Sequence, residues 1–159
     1  MNTILLAVDD TKGSLQVVET LQNLLGESDG CGCMPETIVL LYVQKPEGRS
    51  VMGDLLLSTS EMETLKESLQ GTEHQAQLDR KAEIVLKYFK DLLEKKGFSG
   101  IKPLAIQGHP AEEILKTAQQ EEVEMIVMGS RGKRLHNLWM GSISREVANN
   151  AEMAVLIAR

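Results

Sequence analysis

The chain has 159 residues and a formal net charge of −6, with 42% hydrophobic, 25% charged and only 3% aromatic residues. That length suits one domain with a substantial core filled by aliphatic side chains. The acidic balance argues against a general nucleic-acid or anionic-membrane binder, both of which need a cationic surface, and no apolar run approaches the length that spans a bilayer.

The opening stretch, MNTILLAVDD, has no basic region before its apolar run and meets two aspartates at once. It is expected to be a strand over residues 4–8 and not a signal peptide. Ser14 is a candidate N-cap for a helix whose face carries Val17, Val18, Leu21, Leu24 and Leu25. Cys31 and Cys33 follow in a Gly-rich connection. Their spacing is too short for a CxxC redox or zinc pattern, so two reduced thiols in a cytoplasmic protein are expected.

A second apolar run, TIVLLYV, ends at Gln44-Lys45-Pro46. Residues 47–71 read as an excursion, with Ser60 and Glu63 able to cap a short helix whose Met62, Leu65 and Leu69 point inward. A longer helix carries Leu78, Ala82, Val85, Leu86, Phe89, Leu92 and Leu93 on one stripe, opened by Thr72 and Gln75 and stopped by Gly97. Residues 101–106 form a weaker strand whose Pro103 suits an edge. Pro110 then stands at the start of a helix with Ile114, Leu115 and Ala118. A strand over 125–128 runs into Gly129, a helix begins near Ser142, and an apolar run opens at Met153 and closes at Ala158.

None of the strand candidates alternates polar with apolar residues, as expected of parallel strands covered by helices on both faces. The order β-α-β-α-β-α-β-α-β predicts a single-domain, open, doubly wound α/β sheet with right-handed crossovers. Ligands of such sheets sit at the carboxyl ends of the strands, where the strand order reverses. Here those ends carry Asp9, Asp10 and Thr11, then Val43 and Gln44, then the stretch GSRGKRLHNLWMGS. Gly129, Gly132 and Gly141, followed at once by Ser142, suit a phosphate cradle at a helix N-terminus, and they suit a plain turn equally well. A P-loop motif and a dinucleotide GxGxxG after the first strand are both absent.

The segments ILLAVDDTKGS, LLYVQKP, QGHPAEEIL, EMIVMGSRG and WMGSISREVANNAEMAVLIA together resemble the universal stress protein family over nearly the entire chain. The resemblance implies a five-stranded parallel sheet in order 3-2-1-4-5 and a homodimer joined through the last strand, here Met153 and the residues up to Ala158. One branch of that family binds ATP through G-x2-G-x9-G-[ST], and another binds none. Carried over, Ala7, Asp9 and Val43 lie around adenine and ribose, and ATP is the implied cofactor, with Mg as its companion ion. Gly129, Ser130, Arg131, Gly132 and Lys133 wrap the phosphates, while Gly141, Ser142, Ile143 and Ser144 close on them. This chain has eight residues, KRLHNLWM, between Gly132 and Gly141 where the ATP-binding pattern has nine.

Asp9 has two readings, a ribose or metal-water contact and a carboxylate that caps the turn after it. Ser142 reads as an N-cap in either case. His74, His109 and His136 have no metal-ligand spacing, and no serine or cysteine has a partner base in the sequence pattern. The expectation is a stress-response regulator that binds adenine nucleotide, with no nucleic acid or membrane partner and with protein partners of unknown identity. The alternatives are a family member with a closed site, acting through protein contacts, and a weak ATPase.

Overall fold

A computed structural model describes residues 2–25, 34–45, 73–130 and 140–158. Five strands are present among them: β1 (Thr3–Val8), β2 (Thr37–Gln44), β3 (Ile101–Gln107), β4 (Met125–Gly129) and β5 (Ala154–Ala158). The helices are α1 (Lys12–Leu25), α2 (Glu73–Lys95), α3 (Pro110–Gln120) and α4 (Ser142–Asn150). Cys31, Cys33, the 47–71 excursion and the Thr72 cap lie outside the described residues.

The strands form one parallel sheet in the order β3-β2-β1-β4-β5. β1 is therefore central, its Leu5 paired with Val39 on one side and Ile126 on the other. Successive side chains of a strand leave on opposite faces, so the continuous apolar runs feed two separate cores. Ile4, Leu6, Ile38 and Leu40 pack with Val17 and Leu21 of α1 and with Leu86, Phe89 and Leu93 of α2. Leu5, Val39, Leu41 and Ile126 pack on the other face with Ile114 and Ala118 of α3 and Val147 of α4. Each fully buried aliphatic side chain contributes about 1.5–3 kcal/mol of transfer free energy. Leu24, assigned inward from the helical period, is 53% exposed; it falls at the margin of the arc that Val17, Val18, Leu21 and Leu25 occupy.

The punctuation residues act where the sequence places them. α2 ends in a Schellman motif: Gly97, at φ +87, donates to the Glu94 carbonyl, and Phe98 donates to Leu93. Leu93 and Phe98 then share the same core cluster. Pro103 sits in β3, which among the described residues pairs only with β2. Pro110 occupies the first turn of α3 behind His109. Ser14 differs from expectation. α1 starts at Lys12, so Ser14 lies inside its first turn, where the Asp9 carboxylate competes for its hydroxyl and wins.

α1 and α2 cover one face and α3 and α4 the other, so the winding reverses between β1 and β4. The carboxyl ends of those two strands part there. Among the described residues no helix is long and apolar enough to cross a membrane.

Candidate functional site

A cleft of about 700 Å³ opens at that reversal point. Its volume falls within the range of small-molecule pockets. The floor is the end of β1 (Ala7 to Asp9), the end of β2 (Tyr42 to Lys45) and the end of β4 (Met128 and Gly129). Pro110, Ile114 and Ile143 make an apolar wall on the α3–α4 side. Leu78 and Lys81 of α2 face them on the other side.

Asp9 anchors the floor. Its Oδ1 accepts hydrogen bonds from Thr11 N at 2.9 Å, Thr11 Oγ1 at 2.5 Å and Ser14 Oγ at 2.7 Å. Ser14 Oγ in turn accepts the Asp9 N–H at 2.8 Å. The capping reading of Asp9 thus describes Oδ1 in full, while Oδ2 has no protein partner among the described residues. One carboxylate oxygen holds the turn, and the other remains an acceptor at the cleft. Beside it, Asp10 pairs with Lys81 Nζ at 2.9 Å, tying the β1 turn to α2.

The opposite end is built for negative charge. Gly141, not Ser142, is the N-cap of α4, with extended backbone at φ −68 and ψ 162 and no side-chain cap. Ser142 is the first helical residue, because the chain enters the helix directly after Gly141. The first-turn amides therefore carry the helix dipole toward the cleft without a side chain to satisfy them. Gly129 lies at the end of β4, in the same cleft. It does not have positive φ, and a Cβ built there would meet Gly13 and Val17 only at 3.4–3.6 Å, ordinary contact. The fold has room for a methyl at 129, on the side that faces α1.

Ser130 and Ser144 hold these parts together. Ser130 N–H donates to Ala158 O at 2.8 Å, and its carbonyl accepts Gly141 N–H at 2.7 Å. Ser144, 2% exposed, places Oγ 3.1 Å from the carbonyl oxygens of both Ser130 and Gly141, so its single hydrogen is shared between them. Ser130 is buried and is not part of the cleft lining.

Of the residues expected at the site, Ala7, Asp9, Val43, Gly129, Gly141, Ser142, Ile143 and Ser144 come together in the cleft. Arg131, Gly132 and Lys133 lie outside the described residues, as do His136 and Trp139. Leu78, Lys81, Pro110 and Ile114 also line the cleft; the sequence pattern marks Leu78, Pro110 and Ile114 only as helix residues and does not single out Lys81. The Pro110 start of α3, placed after β3, was the available signal for that wall. No group of three or more His, Cys, Asp or Glu among the described residues is arranged to hold a metal ion.

A model of the universal stress protein family matches residues 1–159. Universal stress protein MJ0577 of Methanocaldococcus jannaschii is 30% identical over 127 residues, 78% of this chain and 77% of that one. The solved structure of MJ0577 superposes with a TM-score of 0.74 at 25% identity, covering 99% of this chain and 94% of the other. The same fold recurs in a universal stress protein solved in complex with cAMP, at TM-score 0.64 and 16% identity, over 99% of this chain and 96% of that one. It recurs again in the Archaeoglobus fulgidus universal stress protein solved with dAMP, at TM-score 0.58 and 16% identity, over 100% and 98%.

Proposed function

Because the chain belongs to the universal stress protein family, we propose that it binds an adenine nucleotide, ATP, in this cleft and acts as a nucleotide-responsive regulator. The single observation that carries the reading is the pairing of an uncapped α4 N-terminus with Gly129 at the end of β4, in one cleft with an apolar wall. The free first-turn amides suit phosphate, while Pro110, Ile114 and Ile143 suit a base. Asp9 Oδ2 is an acceptor for a ribose hydroxyl. The complexes of two proteins of this fold with cAMP and dAMP accord with that class of ligand. β5, an edge strand with half-buried Val155, Leu156 and Ile157, is proposed as the seam of a homodimer.

The test begins with protein purified without added nucleotide. Small molecules released on denaturation are identified by mass spectrometry, and the emptied protein is titrated with Mg-ATP. ATP near one per chain with rebinding supports the reading. Empty protein that gives no binding heat overturns it in favour of a family member that works through protein contacts, and phosphate release above a no-protein blank makes it a weak ATPase.

A further inference from the structure

Gln44, the last residue of β2, is 7% exposed and yet lines the cleft. Its backbone carbonyl is taken by Gly108 N–H at 3.0 Å. Its side-chain Nε2 donates to the Leu78 carbonyl of α2 at 3.0 Å. A carbonyl can only accept, so the amide nitrogen must face Leu78, and the orientation of the amide follows. Oε1 is then the end left over, with no partner among the described residues. Leu78 lines the same cleft, which puts the amide at the cleft wall and leaves Oε1 an acceptor open to water or to a bound molecule. A ligand that supplies an N–H there replaces the hydrogen bond that water would otherwise give Oε1, while one that presents an acceptor displaces that water and gives nothing in return, so the first is favoured over the second.

We infer that Gln44 is a specificity residue of the cleft, whose Oε1 accepts a hydrogen bond from the exocyclic amine of a 6-aminopurine and so selects adenine over 6-oxopurine nucleotides. This rests on the nucleotide reading above. A 6-oxopurine would set its own carbonyl against Oε1, acceptor to acceptor. A purine without a 6-substituent would leave Oε1 unpaired without repelling it. The anchor on Leu78 gives the selection its strength, because Gln44 cannot turn its amide to suit the wrong base without breaking that bond.

The experiment is calorimetric titration of the full chain with ATP, inosine triphosphate and purine riboside triphosphate, in the wild type and in Gln44→Met, which keeps length and removes the amide. The wild type is expected to bind in the order ATP, purine riboside triphosphate, inosine triphosphate, with ATP about tenfold or more ahead of inosine triphosphate. Gln44→Met is expected to bring ATP and inosine triphosphate to within about threefold, chiefly by weakening ATP. Equal wild-type binding of ATP and inosine triphosphate, any other wild-type order, or an unchanged preference in Gln44→Met overturns the assignment while the nucleotide reading stands. No binding of any of the three in the wild type overturns both. The wild-type order reads the acceptor directly, so the assignment stays exposed to refutation even where Gln44→Met fails to fold.

Discussion

At the scale of single residues, polar atoms in this chain are spent unevenly, and the unevenness can be measured. Asp9 Oδ1 gathers three donors, so Asp9→Ala should cost about 1–2 kcal/mol of stability in urea unfolding even without ligand. A carboxylate that served only a ligand would leave that curve unmoved. Thr117 is the opposite case. It is 2% exposed, and its Oγ1 is buried without a hydrogen-bond partner among the described residues. Thr117→Val replaces that hydroxyl with a methyl of nearly the same shape and should raise stability by about 1 kcal/mol in the same assay. An unchanged or lowered midpoint would mean that the hydroxyl does find a partner in solution.

Among the elements, turn glycines differ in what they require. Gly97 and Gly100 both have positive φ, +87 and +65. A Cβ at Gly97 would meet nothing within 4 Å, whereas at Gly100 it would stand 2.0 Å from the Glu36 carbonyl oxygen. Gly97→Ala should therefore cost only the backbone strain, about 1–2 kcal/mol. Gly100→Ala, which must also push β3 away from the start of β2, should cost about 2–4 kcal/mol; equal losses in thermal unfolding would refute the steric argument. Such local devices were legible in the sequence, because Gly97, Pro103 and Pro110 act through their own backbone, and the unbroken apolar runs state burial on two faces. What was not legible joins distant residues. Ser14 looks like a cap until Asp9 claims its hydroxyl, five positions away. The tie from Gln44 to Leu78 spans 34 positions, and no local period encodes it. The cleft floor could be named from strand ends, but the α2 wall emerges only when the helix is laid across the sheet.

For the molecule as a whole, the sheet has two edges of different character. β3 carries Pro103 and the exposed Lys102, which pairs with Glu121, features that discourage a further strand. β5 offers apolar, half-buried residues instead. If β5 is the dimer seam, Val155→Lys should move the protein from dimer to monomer in sedimentation velocity while the monomer keeps its helical circular dichroism. A wild type that already sediments as a monomer refutes the seam outright. The Ser130 clasp has a different bearing, on how a protein of this kind can change over generations. Gly141 is joined to Ser130 by one main-chain bond and Ser130 to Ala158 by another, so the end of β4 and the start of α4 are held by bonds that do not involve the residues between them. Inserting one residue between Gly132 and Gly141 should therefore shift stability by less than about 0.5 kcal/mol in urea unfolding, and a larger loss would refute the clasp. If it holds, variation in length between those two glycines falls on the ligand and spares the fold.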